Sequence, residues 1–379
     1  MPVCSKIQQR VSTVLYKRFG YPVVHAGDPL SSKRALLAYL SLGMKWKSDD
    51  SRFGWHQNYR QSCQIAQLLV DRGYQVDVVQ YNDSRFIPSA PYDLIVAHPG
   101  DVSQRLQALP RTGMRLCLRT GRHAEFVNKV MTERFCRLSQ RKGGSLIPPL
   151  LRETDAVYEN YDAVVCFDGD GSTAETFRVT GLPVYSFRNY ANPQLSPVRK
   201  NYAEARRGFI YMAGHLHVSK GLDWLIEAFA ERPDLHLYIC GKLSDELTAL
   251  YKKELGCSNI HQMGFVQLHS EKFKKICRKA AWYISPSATD GCQGTALDAM
   301  ASGLIPVLSD ACGVNTYGSG LEMRPCSPET MRGALDGTLL ISAEELEQQS
   351  RRSWATVETH YRPRHFLEDW NHILEQVGV

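Results

Sequence analysis

The feature that most limits the fold is an alternation of short apolar runs with longer helix-period segments, and it occurs twice along the chain. In the first series Ala35–Leu40, Gln75–Gln80, Tyr92–His98, Met114–Arg119, Asp162–Phe167 and Val184–Arg188 read as strands. Between them Asn58–Arg72 carries Cys63, Ala66, Leu68, Leu69 and Val70 on a helical pattern ended by Gly73. Phe126–Arg141 is a second helix with a basic end, and residues 41–55 read as a polar loop. Strands that alternate with helices form a parallel sheet covered on both faces, and such sheets bind ligands beyond the carboxyl ends of their strands.

The segment Asn192–Asn201 is polar, contains Pro193 and Pro197, and reads as an interdomain linker. A second alternating series follows: Gly208–Ala213, Leu235–Cys240, Ile260–Gly264, Trp282–Ser285 and Ile305–Ser309 as strands. Its helices are Leu222–Ala230, Asp245–Glu254, Glu271–Ala280 and one starting near Thr295. Ser342–Gln376 is mostly helical with a break at Arg362-Pro363. A chain of 379 residues also exceeds what one core usually supports, about 250–300 residues. The expectation is α/β: two doubly wound parallel-sheet domains facing a crevice. Residues 1–34 show little strand signal, and Val3, Ile7, Val11, Val14 and Leu15 predict a helix docked on the body.

Composition excludes several classes. With 43% hydrophobic and 22% charged residues the chain is not intrinsically disordered, and no run approaches the roughly 18 apolar residues of a membrane span. A net charge of +6 is a mild bias that suits anionic substrates but is too diffuse for a nucleic-acid binder. Eleven cysteines without a Cys-x-x-Cys pair, several of them (Cys117, Cys166, Cys240) inside apolar runs, predict free thiols in a reducing compartment. No signal peptide is visible, so the expected location is the cytoplasm. Basic residues in 134–142 and in the N-terminal segment suit an anionic membrane face or a lipid-linked acceptor; a solvated surface is the competing reading.

Two segments carry chemistry. In Ile284–Gly303 a strand ends, a glycine-bearing loop holds Asp290, and a helix starts near Gly294 or Thr295 with Asp298 in its early turns. A helix start after such a loop offers free N–H groups and a positive dipole end, which suits a diphosphate. Two carboxylates eight positions apart offer acceptors for the vicinal hydroxyls of a sugar. An acidic helix turn stabilised by the dipole is the plainer reading. In Gly214–Gly221 a strand-to-helix loop brings Lys220 to the ligand-binding end of the sheet, where its compact charge suits a phosphate.

Together these residues resemble the retaining glycosyltransferases of family 4, a group 1 glycosyl transferase type with the GT-B fold. The family's Gly-Arg-Leu-x-x-x-Lys-Gly stretch is matched by Lys220 and Gly221, with His215 where Arg is expected. Its Glu-x7-Glu motif is matched by Asp290 and Asp298, both shortened to Asp, and Leu297–Val307 and Lys220–Phe229 follow the family's pattern. The resemblance implies a nucleotide-sugar donor, with Asp290 at the sugar hydroxyls and Asp298 at the ribose. Lys220, His215 and the Gly291, Cys292, Gln293, Gly294 and Thr295 stretch would lie at the diphosphate and sugar. It implies a first, acceptor-binding domain (1–195), a donor domain (196–355) and a crossover helix (356–379) returning to the first domain. Trp354, Tyr361, Phe366 and Trp370 belong to that tail and are assigned packing.

In the first domain Arg119-Thr-Gly-Arg-His123 resembles a family loop with a functional histidine, so His123 joins Asp290 and Lys220 as a catalytic candidate. A capping or salt-bridging His123 is the alternative. Asn189 follows the last strand, where relatives carry an Asn-Gly turn, and Ser172 or Thr173 is expected to cap a short helix, with Glu175 in its first turn. Asp168-Gly-Asp170 looks like the metal motif of the other glycosyltransferase fold, and His56, His98 and His215 share no ligand spacing. No metal and no cofactor are expected. The expected reaction moves a sugar with retention to a lipid-linked, glycan or small-molecule hydroxyl acceptor, and no nucleic acid is expected as a partner. A nucleotide-sugar epimerase and a noncatalytic binding or scaffold protein on the same fold remain open alternatives.

Overall fold

A computed structural model of the chain describes residues 21–47, 50–54, 57–88, 91–143, 146–151 and 155–379. The helix expected from Val3 to Leu15 and the candidate His56 lie outside the described residues. The first sheet is built from β1 (Val24–Ala26), β2 (Lys33–Tyr39), β3 (Tyr74–Gln80), β4 (Leu94–Ala97), β5 (Met114–Arg119), β6 (Ala163–Phe167) and β7 (Val184–Phe187). Their order is β1-β3-β2-β4-β5-β6-β7, parallel except for β1, which pairs antiparallel with β3 at the edge. The second sheet contains β8 (Gly208–Met212), β9 (His236–Cys240), β10 (Ile260–Gly264), β11 (Trp282–Ser285), β12 (Ile305–Ser309) and β13 (Leu321–Met323). It is parallel throughout, in the order β10-β9-β8-β11-β12-β13. The expected doubly wound pair of domains is therefore present.

The strand residues explain the layering. In β2, Ala35, Leu37 and Tyr39 enter one apolar cluster while Leu36 and Ala38 enter another, so both faces of the sheet are covered. In β8, Phe209 and Tyr211 point to one side and Ile210 and Met212 to the other. One cluster is continuous between the domains, running from Leu37, Val76 and Phe187 through Tyr190, Tyr361 and Cys292 to Tyr283, Ala296 and Met300. The C-terminal helices divide their loyalties. Ala343–His360 lies on the second domain, where Ser350 and Ser353 donate to the Gly303 and Leu304 carbonyls at 2.7 and 2.8 Å. Pro363–Gln376 packs Phe366 and Trp370 against Phe187 of β7, with ring centroids 5.7 and 5.0 Å apart. Trp354 departs from the packing expected of it: it is 37% exposed on the outer face of its helix.

Elements outside the sequence reading are short or irregular. β1 and β13 have three residues each, too few to show a period, and Pro328–Leu339 is a helix that the alternation does not mark. No helix among the described residues is long and apolar enough to cross a membrane.

Candidate functional site

Strand order reverses between β8 and β11, the two strands whose carboxyl ends carry the motif-bearing loops. After β8, Leu216 adopts a left-handed conformation (φ 56°), and its carbonyl accepts the Lys220 N–H at 3.1 Å and the Ser219 hydroxyl at 2.9 Å. Ser219 in turn accepts the Ala288 N–H on its carbonyl at 3.0 Å, which ties this loop to the one after β11. Gly221 has φ 73°, and a Cβ there would lie 2.6 Å from the Pro286 ring, so glycine is required both by conformation and by space. The two loops bring Lys220 Nζ within 2.6 Å of Asp290 Oδ1, with both side chains mostly buried.

The other Asp290 oxygen accepts the Gln293 side-chain amide at 2.7 Å, and the same Nε2 donates to Ser285 Oγ at 3.0 Å. Gln293 is the N-cap residue of the Gly294–Ala301 helix. The Gly294 and Thr295 amides at the start of this helix have no carbonyl four residues back to bond. Thr295 turns its hydroxyl inward to Tyr283 at 2.9 Å, so its contribution to a ligand reduces to its backbone. Across the crevice the Asn58–Asp71 helix has Gln57 at its start, and the Gln57 side-chain oxygen lies 3.8 Å from where a Gly294 Cβ would stand. The start of the Gly294–Ala301 helix thus lies at the crevice close to Gln57 of the first domain, and its dipole favours an anion there.

The first domain builds part of this loop. Arg122 Nε donates to the Asp290 carbonyl at 2.7 Å, Thr173 Oγ1 to the Gly291 carbonyl at 2.8 Å, and Asn189 Nδ2 to the Cys292 carbonyl at 2.9 Å. Three successive carbonyls of the second domain therefore end on three first-domain side chains. Gly291 itself has no room for a side chain without strain: a Cβ would lie 3.2 Å from Gly121 Cα and 3.3 Å from the Thr120 and Phe167 carbonyl oxygens. Burial pushes the Cys292 thiol far up and the Cys312 thiol up to about 12, so both remain protonated packing groups.

The remaining candidates sit as follows. His215 stands near Lys220 and Asp290 with part of its surface open to solvent; its partial burial and the Lys220 charge hold its imidazole below the usual range, with Asp290 opposing. Asp298 is 7% exposed and its Oδ1 accepts the Asn192 N–H of the linker at 2.7 Å; burial pushes it up to about 7, against that hydrogen bond and the Arg362 charge. His123 caps the Ala124–Lys142 helix, its N–H donating to Thr176 Oγ1 at 3.0 Å. Its ring packs on Tyr158 and Phe177, with centroids at 5.3 and 5.7 Å, and makes no cap hydrogen bond to the helix. Its neighbour Arg122 makes the contact across the crevice. The available signal is a charged group in a strand-end loop, and its backbone acceptor leaves no mark in the sequence.

Two expectations are corrected. The short Ser172–Glu175 helix is not capped by Ser172 or Thr173. Asp168 takes the Asp170, Gly171 and Ala174 amides at 3.1, 2.8 and 2.8 Å, and Asp170 takes the Ser172 N–H and hydroxyl at 3.0 and 2.6 Å. The two hydroxyls are used elsewhere, Ser172 accepting from Arg122 and Thr173 donating to Gly291. The Asp168-Gly-Asp170 carboxylates hold backbone amides and the Ser172 hydroxyl, and among the described residues no three His, Cys, Asp or Glu groups gather as for a metal. The second correction concerns the basic helix end in 134–142. Arg134 stacks over the Trp224 ring at 4.0 Å, Arg141 pairs with Asp223 and Glu227 at 2.6 and 3.2 Å, and Lys142 pairs with Glu254 at 2.5 Å. Leu138 is fully buried in the second domain's cluster. Arg134 and Lys142 thus face protein, Arg141 pairs at the rim of the contact, Arg137 stays exposed, and the helix bridges the two domains.

Sequence comparison matches residues 207–339 to the family described as Glycosyl transferases group 1. No curated protein matches the chain by sequence. Among solved structures, the sucrose-phosphate synthase of Thermosynechococcus elongatus superposes with a TM-score of 0.64 at 14% identity, covering 91% of this chain and 99% of its own. A glycosyltransferase from Rickettsia africae gives 0.56 at 11% identity, and the Anabaena HepE structure in complex with UDP and glucose gives 0.55 at 13%, each covering 91% of this chain and 99% of theirs. The likeness at these identities is one of fold. The second domain is thus similar to the group 1 glycosyl transferases, and the chain as a whole has the GT-B fold.

Proposed function

We propose that the protein transfers a sugar from a nucleoside-diphosphate sugar to a hydroxyl acceptor, with retention of anomeric configuration and without a metal ion. The observation that carries the proposal is the Lys220–Asp290 pair at 2.6 Å, set beside the unbonded amides of a helix start at the strand reversal. The family match over 207–339 and the relatives' fold, one of them holding UDP and glucose, support the same reading.

As the sugar leaves, negative charge grows on the terminal phosphate and positive character on the anomeric carbon. Fixed donors aimed at the phosphate stabilise that charge more in the transition state than in the ground state. Lys220 Nζ, the Gly294 and Thr295 amides and, when protonated, His215 are the donors assigned to it. Asp290 holds Lys220 in place and accepts from the sugar hydroxyls. The leaving phosphate takes the acceptor's proton, so no protein nucleophile is needed. The acceptor, a glycan, a lipid-linked sugar or a small molecule, approaches from the first domain, whose Arg122, Thr173 and Asn189 hold the donor loop closed and keep water out.

Incubating the protein with UDP-, GDP- and ADP-sugars, with and without a mixed glycan acceptor, tests the proposal by mass spectrometry. Donor consumption that depends on the acceptor is expected. Conversion of the donor without acceptor points to an epimerase, and no consumption with any donor contradicts the proposal.

A further inference from the structure

We propose that Arg134, on the first-domain Ala124–Lys142 helix, is a positioning residue for Lys220: it holds the turn that leads from Lys220 into the Leu222–Ala230 helix of the second domain. The proposal rests on the proposed function for the nature of the ligand, while the contacts that carry it do not. Lys220 directly precedes Gly221, the N-cap of that helix. Arg134 is 6% exposed, and its guanidinium lies over the Trp224 ring at 4.0 Å. Its Nη1 stands 2.8 Å from the point a Gly221 Cβ would occupy. Asp223, between these two positions, is buried under the combined charges of Arg134 and Arg141. Gly221, Asp223 and Trp224 are thus each met by a cation from one first-domain helix.

The same guanidinium reaches the loop that carries Asp290. Its Nη2 donates to Cys326 Sγ at 3.4 Å, and the Cys326 thiol donates to the Pro286 carbonyl at 3.7 Å. Pro286 opens the loop after β11, and its ring and carbonyl oxygen lie 2.6 and 2.7 Å from the Gly221 Cβ position. Arg134, Cys326, Pro286 and Gly221 therefore close a ring where the two loops meet, and the Lys220–Asp290 pair joins the same two loops. Nη1 has no hydrogen-bond acceptor among the described residues, so its hold on the turn comes from packing, charge and the flat stack on Trp224. A lysine keeps the charge but not the planar stack. Because the guanidinium belongs to the first domain, it is in place only while its helix is docked. The grip of Lys220 on a phosphate is thereby coupled to the contact between the domains.

Three variants test this. Arg134→Met keeps the bulk of the stem and removes the fork, Arg134→Lys keeps the charge, and Arg141→Gln breaks ion pairs of the same helix away from the Gly221 turn. The readouts are amide hydrogen exchange and calorimetric titration with UDP, GDP and ADP. Exchange is followed at Lys220, Gly221 and Leu222, whose N–H groups donate to the Leu216, Val218 and His217 carbonyls at 3.1, 3.0 and 3.0 Å. In R134M these amides are expected to exchange at least about tenfold faster. Its nucleotide affinity is expected to fall at least about fivefold, because Lys220 is no longer held in place. R134K is expected to lie between R134M and the wild type, and R141Q within about twofold of the wild type on both readouts. Unchanged exchange in R134M overturns the proposal, as does faster exchange with unchanged affinity, or an R141Q variant that loses as much as R134M. Should R134M not fold, R134K decides: exchange at least about threefold faster supports the proposal and unchanged exchange overturns it. If the wild type binds none of the three nucleotides, the proposed donor fails, and exchange at Lys220, Gly221 and Leu222 alone decides the positioning role.

Discussion

Arg122 of the first domain donates to the backbone carbonyl of Asp290 in the second at 2.7 Å, although 168 residues separate them in sequence. The same guanidinium donates to the Ser172 carbonyl and hydroxyl at 2.8 and 2.7 Å, so its fork is anchored in its own domain. Replacing it by alanine removes the anchor and leaves the Asp290 carbonyl without its donor, at a cost of about 1–3 kcal/mol per lost charged bond. Arg122→Ala is expected to fold, to show faster amide exchange in 289–293, and to consume donor at least about tenfold more slowly. Unchanged exchange in that loop would show that the second domain shapes it alone.

Buried carboxyls give the stability a definite pH slope. Burial raises Asp223 to about 6 and Asp298 to about 7, both above the ordinary value of 3.8. Each therefore binds a proton more tightly in the folded than in the unfolded chain, so stability from these groups is greatest near pH 4 and falls as pH rises through 6 to 7. D298N carries no such charge. Melting temperatures measured from pH 4.5 to 7.5 should show D298N gaining on the wild type as pH rises, whereas parallel curves would refute the burial effect.

The Ala124–Lys142 helix spans both domains, and its apolar anchor is Leu138, buried among second-domain side chains. Leu138→Ala should cost about 2–4 kcal/mol and loosen the domains against each other. Small-angle scattering should report a larger radius of gyration for this variant, and an unchanged radius together with a normal melting point would remove the helix from the interdomain contact.

His215 provides a test at the diphosphate itself. Its imidazole titrates below the usual range, so its positive charge appears only as the solution becomes acidic. Wild-type affinity for UDP or GDP should strengthen between pH 7 and about 5.5 more than that of His215→Arg, whose charge is constant. Identical pH profiles for the two proteins would place His215 outside the site.

How much of this is legible in the sequence follows from what each feature depends on. The strands and most helices of both domains rest on local periodicity, which a single sequence carries, so β2 through β12 can be marked within a few residues. Lys220 and Asp290 each sit in a loop at the end of a strand, and the fold rule for such loops puts both at the strand reversal. The interdomain bonds are not legible, because Arg122, Thr173 and Asn189 all end on backbone carbonyls, and a carbonyl has no residue type. The basic end of the Ala124–Lys142 helix misleads for a related reason: its partners Trp224, Asp223, Glu227 and Glu254 lie over 80 positions away and look like the solvated face of another helix. The sharing of Asp298 with the linker is hidden because its partner is the N–H of Asn192.

Everything said of the chemistry depends on an anionic nucleotide being gripped by Lys220 beside the start of the Gly294–Ala301 helix. Calorimetric titration of the wild type and of Lys220→Ala with UDP, GDP and ADP decides it. At least one nucleotide should bind the wild type, and the loss of a charge-assisted contact should weaken that binding at least about tenfold in K220A. Equal affinity in the two proteins, or no binding of any of the three by a folded wild type, would contradict it.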